Sequence, residues 1–312
     1  MKLAFLYAGQ GSQHPGMGQD LYETEPTFRA VFDAATEELP FDAKSLCFTD
    51  PDGLLGQTQY TQPCMVAFAA AMTALLRERG LAPDCLAGLS LGEYSALHAA
   101  GVMDAKTAVS LVAYRGAAMA SAAYGKASGM SAVLGLDAST LQVCCDQAAT
   151  QGVVQICNYN CTGQIVIGGE KQAVDACAAL AKEAGAKRCL PLSVSGPFHT
   201  ALMRSAGDAL AERFETLAFA SMQTPVLFNT LGREKEENQS IGSLLVQQVQ
   251  SSVQMEATIQ RLAALGVDTV IEIGPGKVLS GFVKKTVGSA ITCYPVETAV
   301  ELVAAISALK GA

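Results

Sequence analysis

Gly88-Leu89-Ser90-Leu91-Gly92 joins an apolar stretch, Cys85 to Leu89, to a helix-like run from Glu93 to Ala100. A Gly-x-Ser-x-Gly between a strand and a helix is the nucleophile-elbow pattern. The turn is so tight that its flanking positions tolerate little beyond glycine, and the serine hydroxyl is pushed out at the helix N-terminus. There, unpaired N–H groups and the helix dipole favour negative charge developing on a reacting oxygen. Taken alone, the five residues also suit an ordinary βα turn with a helix-capping serine.

Upstream of this turn, Leu3 to Ala8 reads as a buried strand that runs into a glycine-rich loop, Gly9 to Gly18. Helical periodicity follows over Thr27 to Leu39 and Gln62 to Arg79, and after the elbow over Ala105 to Tyr124. From Met130 the texture changes to strand, helix, two strands, helix and strand, ending at Lys187 to Leu192. That β-α-β-β-α-β order is the ferredoxin-like pattern, here a small subdomain inserted into a larger one. The expected division is 127–192 for the insert, with 1–126 and 193–312 forming a discontinuous α/β unit. Beyond Ser195-Gly196-Pro197-Phe198-His199, Ala201 to Leu217 reads as helix, Thr224 to Asn229 as strand and Val267 to Ile273 as strand. Gly274-Pro275-Gly276 then turns into a helix, Val278 to Val287. Strands alternating with helices imply a largely parallel sheet covered on both faces, with ligand beyond the carboxyl ends of its strands. The loops after Ala8, at Ser90 and after Ile273 are therefore expected on one rim.

Composition narrows the function. Of 312 residues, half are hydrophobic and 16% charged, which is a globular chain with a large core. Net charge is −8 and basic residues never run beyond a pair, as in Lys187-Arg188 and Lys284-Lys285, which argues against nucleic acid. Ten cysteines form no Cys-x-x-Cys and read as thiols in a reducing cytoplasm rather than as disulfides or a metal site. The longest apolar stretch, Cys64 to Leu76, is shorter than the roughly 20 residues that span a membrane.

A serine nucleophile needs a base, and the chain has three histidines. His98 sits eight residues along the elbow helix, about 12 Å from Ser90 and out of reach. His14 lies in the glycine-rich loop, and His199 follows the rigid junction turn, so elimination favours His199. No carboxylate stands ready to orient it; a backbone carbonyl or an amide is the substitute. The main-chain N–H groups of Gln10 and Leu91 are candidate oxyanion donors. Arg115 interrupts an otherwise uncharged helix, and a buried guanidinium needs an anion. That anion is either an acidic side chain or a substrate carboxylate, which arginine grips with two parallel hydrogen bonds.

Together these segments resemble the bacterial malonyl-CoA:acyl carrier protein transacylases. The carriers are Gly9 to Gln13, Thr61-Gln62-Pro63, Gly88 to Leu97, Arg115-Gly116, Asn160 with Gly163-Gln164, Gly196 to His199, Val253-Gln254 and Glu272 to Lys277. The resemblance implies an α/β-hydrolase-like core and a ping-pong transfer of malonyl through an ester on Ser90, with His199 as base. It gives the malonyl carboxylate to Arg115, the oxyanion to Gln10 and Leu91, and the orienting of the histidine to Gln254. Gln62, Asn160 and Phe198 are further substrate-site residues on the same grounds, Phe198 being the residue type found in malonyl-selective relatives. Malonyl-CoA and a phosphopantetheinylated carrier protein are then the substrates, with no cofactor or metal, in a cytoplasmic monomer serving fatty acid synthesis. An acidic carrier suggests docking by Lys284, Lys285 and Arg204. Two departures stand out: Leu89 where relatives often have histidine, and Ala8 where they often have proline. The rival readings are an acyltransferase of a polyketide or polyunsaturated lipid assembly line, and a serine esterase or thioesterase.

Overall fold

The computed structural model describes residues 1–311. In chain order the strands are β1 Leu3–Tyr7, β2 Cys85–Gly88, β3 Ser128–Leu134, β4 Val154–Cys161, β5 Gln164–Glu170 and β6 Arg188–Pro191. They continue with β7 Leu227–Phe228, β8 Arg233–Glu234, β9 Val253–Gln254, β10 Thr269–Ile273 and β11 Thr292–Val296.

The larger part is built on a wholly parallel sheet, β11-β10-β1-β2, which Val226 extends by a single bridge to Leu86. Strand β1 is buried along its length, and its side chains divide by the two-residue period. Leu3, Phe5 and Tyr7 enter a core with the long helix Thr58–Glu78 and the helix Ala105–Ala123. Ala4 and Leu6 enter a second core with the helices Met255–Ala264 and Val278–Val287. Tyr7 is in register with both Ile273 and Gly88, so β1, β2 and β10 end together. That shared end sets the Gly9 loop, Ser90 and the Gly274 turn on one rim.

The second sheet has the order β6-β3-β5-β4-β9. Its first four strands pair antiparallel, and β9 joins β4 in parallel. Helices Ala138–Ala148 and Lys171–Glu183 share a core with Val133, Ile156 and Ile167 on one face. Met130, Ala132 and Val166 turn the other way, into the large core.

Most departures from the sequence reading lie where side chains mislead. The strand expected over Thr224 to Asn229 shrinks to β7, which pairs with β8. The helix expected from Ala201 begins as a 3-10 turn, Ala201–Met203, and is α-helical over Arg204–Glu215. Strand β11 carries Pro295, a residue that cannot donate to a ladder, and it lies on the sheet edge where that costs nothing.

Candidate active site

Ser90 occupies the turn between β2 and the helix Gly92–Ala99 with φ of 52°, a left-handed conformation that costs a non-glycine residue about 1–3 kcal/mol. Close approach explains the flanking glycines. A Cβ on Gly88 would lie 2.1 Å from the Gly92 carbonyl carbon, and one on Gly92 would lie 2.2 Å from the Tyr7 carbonyl oxygen. The elbow is thereby pressed against the end of β1, where the Gly9 loop starts.

Ser90 Oγ lies 2.7 Å from His199 Nε2, although 109 residues separate them. His199 also has a left-handed backbone, with φ of 61°, and is 4% exposed. Its Nδ1 is 2.8 Å from the Gln248 carbonyl oxygen. A carbonyl can only accept, so Nδ1 carries the proton and the neutral ring presents Nε2 as acceptor to the hydroxyl. Burial, reinforced by the positive charge of Arg115, pushes the imidazole down to about 4. At neutral pH it is therefore unprotonated, the form a general base requires.

Arg115 is 1% exposed. Its Nη1 donates to Gln62 Oε1 at 2.9 Å, and its Nη2 to Gln248 Oε1 at 3.0 Å and to Ser90 Oγ at 3.2 Å. Its Nε has no partner, and among the described residues no carboxylate lies within ion-pair distance of the guanidinium. Glu93 is the nearby acid, but burial raises its carboxyl to about 8 and leaves it largely protonated at neutral pH. The Tyr94 ring supports the cation from one side, with Cζ 5.2 Å from the ring centroid. A buried cation held by neutral amides beside a hydroxyl is chemically able to receive an anion.

Ser90, His199, Arg115 and Gln62 line a cleft of about 280 Å³ between the two sheets. Gln10 and Leu91 stand on its wall, and among the described residues neither main-chain N–H has an acceptor. Ser90 N–H is instead taken by Asn229. Gln10 is fixed through its side chain, which donates to Thr58 Oγ1 at 3.0 Å. Opposite, register shifts in β4 at Ile156/Asn158 and Tyr159/Cys161 bend the strand beside Asn158 and Asn160. Both asparagines line the cleft, and the buried Asn160 Oδ1 is unpartnered. Phe198, Leu89 and Ala8 line it too.

One expected role moves. His199 is oriented by the Gln248 carbonyl and not by Gln254. Gln254 sits in β9, where its N–H donates to the Asn229 carbonyl at 2.8 Å and its backbone pairs with Tyr159. Gln248, in the helix Ile241–Gln250, also sends its side-chain amide to Ser90 C=O at 2.8 Å. Nothing in the sequence marked Gln248, because its main task falls to a backbone oxygen that every residue carries. The other histidines are occupied elsewhere: His98 Nδ1 meets Met103 C=O at 3.0 Å, and His14 pairs with Glu297.

A hydroxyl on an imidazole, beside two idle main-chain N–H groups, is an arrangement suited to acyl transfer. The family described as the acyl transferase domain matches residues 4–305, and the chain belongs to it. It is 44% identical over 285 residues to the malonyl CoA-acyl carrier protein transacylase of Bacillus subtilis, covering 91% of this chain and 90% of that one. The solved MCAT of Streptococcus pneumoniae matches with a TM-score of 0.93 at 45% identity, over 98% of this chain and 100% of the other. A malonyl-transacylase solved in complex with its type II PKS acyl-carrier protein gives a TM-score of 0.95 at 37% identity, over 99% and 100%.

Proposed function

We propose that this acyltransferase carries malonyl from malonyl-CoA to the phosphopantetheine thiol of acyl carrier protein, supplying fatty acid synthesis. His199 Nε2 takes the Ser90 proton as Oγ attacks the thioester carbonyl. The oxyanion forms against the N–H groups of Gln10 and Leu91, and the imidazolium returns its proton to the departing CoA sulfur. The carrier thiol then repeats these steps on the malonyl-serine ester, giving its proton to His199 and finally to Ser90 Oγ. Arg115 holds the free carboxylate of the malonyl group throughout, displacing its contacts with Gln62 and Gln248. Asn160 hydrogen-bonds the pantetheine arm, and Phe198 packs against the acyl group.

The observation that carries this reading is the buried guanidinium beside Ser90 Oγ, which has only uncharged partners. An esterase has no use for it. The smaller sheet, residues 127–192 joined by β9, is read as a ferredoxin-like subdomain on the strength of its β6-β3-β5-β4 order. Lys284 and Lys285 are exposed at the end of the helix whose Val278 and Phe282 line the cleft, which supports carrier docking there. Arg204 is also exposed, at the start of its helix. The enzyme is taken to act as a cytoplasmic monomer without cofactor.

The test is intact-mass trapping. Mixed with malonyl-CoA, the enzyme should gain one malonyl group, lose it to phosphopantetheinylated carrier protein, and gain none as the Ser90→Ala variant. Release of free malonate with no transfer to the carrier would assign a hydrolase instead.

A further inference from the structure

Asn229 follows β7 and is fully buried. Its Oδ1 accepts from Ser90 N–H at 2.6 Å, and its Nδ2 donates to Gly88 C=O at 2.7 Å. One planar amide therefore spans the elbow and binds both sides of its left-handed residue. The amide is itself held by its backbone. Asn229 N–H donates to Glu93 Oε2, and Asn229 C=O accepts from Gln254 N–H. Glu93 N–H in turn donates to Ser90 C=O at 3.1 Å, closing a ring of serine, asparagine and glutamate.

We propose that Asn229 is a positioning residue for acyl transfer: it locks the Ser90 turn and, by consuming Ser90 N–H, leaves Leu91 and Gln10 as the oxyanion donors. Asparagine suits the task because the turn presents one donor and one acceptor, and an amide answers both at a fixed spacing. A free Ser90 N–H would let the turn relax out of its strained conformation, shifting Oγ relative to His199 and to the thioester. Misplacement by about 1 Å from such a cause lowers rate on the order of 10²-fold. The acyl group is gripped elsewhere, at Arg115, so binding is spared. The inference rests on the acyl-transfer reading above for its substrate but not for its geometry.

The experiment compares wild type with Asn229→Ala and Asn229→Asp. Two readouts are taken between pH 5 and 8.5: single-turnover loading from malonyl-CoA, and labelling by a small fluorophosphonate, which reports serine reactivity without recognising an acyl chain. Circular dichroism monitors folding. Asn229→Ala should lose kcat on the order of 10²-fold, with KM for malonyl-CoA within about twofold of wild type. In Asn229→Asp the ionised carboxylate keeps the acceptor and lacks the donor to Gly88, so it should be slow at pH 8. As the pH falls the acid form regains that donor, and its rate relative to wild type should climb. Of the titratable groups around the elbow, Glu93 touches Asn229 itself, while Arg115 and His199 meet the Ser90 hydroxyl. Glu93 is largely protonated over most of the range and opposes ionisation of the substituted carboxyl only as it charges towards pH 8, whereas the cationic Arg115 favours that ionisation throughout; His199 is neutral across the range.

Wild-type kcat in Asn229→Ala overturns the proposal. So does an Asn229→Asp profile parallel to wild type, or a loss carried by KM. Failure of both variants to fold also overturns it, since Asn229 would then serve the core rather than the turn. A wild type that reacts with the fluorophosphonate but takes no malonyl refutes the substrate reading alone, and the probe rates then decide the role of Asn229.

Discussion

Arg115→Ala separates recognition of a charged acyl group from the chemistry at Ser90. The substitution keeps both Ser90 and His199, whose side chains meet at 2.7 Å, and removes the cation beside them. Losing one partner of a buried, hydrogen-bonded ion pair costs about 3–5 kcal/mol. At about 1.36 kcal/mol per tenfold, kcat/KM for malonyl-CoA should fall by about 10²–10⁴. The same change strands Gln62 Oε1 and Gln248 Oε1, at about 1–3 kcal/mol for each buried acceptor left unpaired. That second cost falls on every acyl group alike. The ratio of malonyl to acetyl is thus the diagnostic, and it should collapse by about 10² or more. Quenched-flow formation of acyl-enzyme from each CoA ester, read by intact mass, measures it. Equal losses for malonyl and acetyl would refute the assignment of Arg115 to the carboxylate.

The depressed imidazole of His199 predicts loading that stays flat from neutral pH downward, with its midpoint near 4 rather than near 6.5. Stability follows the same group: the unfolded chain binds the extra proton between those values, so stability rises with pH across that window, by at most about 3 kcal/mol. Urea midpoints between pH 4 and 7 check it, and His199→Gln should remove that part of the slope. Gly92→Ala forces a Cβ to 2.2 Å from the Tyr7 carbonyl oxygen, backbone against backbone, and should abolish soluble folded protein or lower Tm by more than about 10 °C. Reversing Lys284 and Lys285 to glutamate should raise KM for carrier protein several-fold at low salt, with loading from malonyl-CoA unchanged. An unaltered KM at low salt removes those lysines from docking.

The chemistry of the site was more legible in the sequence than its geometry. Ser90 was marked by two glycines that backbone contact demands, His199 by the scarcity of histidine, and Arg115 by the apolar helix around it. Each signal is a side chain that is costly where it stands. Gln248 gave no such signal, because it holds His199 through a carbonyl. The pattern around Val253-Gln254 drew attention to a neighbour that turned out to support Asn229 by its own main chain. The left-handed backbone of His199 was likewise invisible, since nothing about histidine requests φ of 61° and only the surrounding fold imposes it. In the same way β9, two residues long, has no period of its own to read.

That short strand reaches further than its length suggests. Val253 and Gln254 pair with Asn158 and Tyr159, so the wall bearing the cleft asparagines is laced by main-chain bonds to the body bearing Ser90. Moving the two walls apart would break that ladder, so the bore of the slot is tied to main-chain pairing. Descendants of this scaffold that accept bulkier acyl groups would widen the bore by trimming Met119, Met130 or Phe198, which line it, while the stitching at β9 stays as it is.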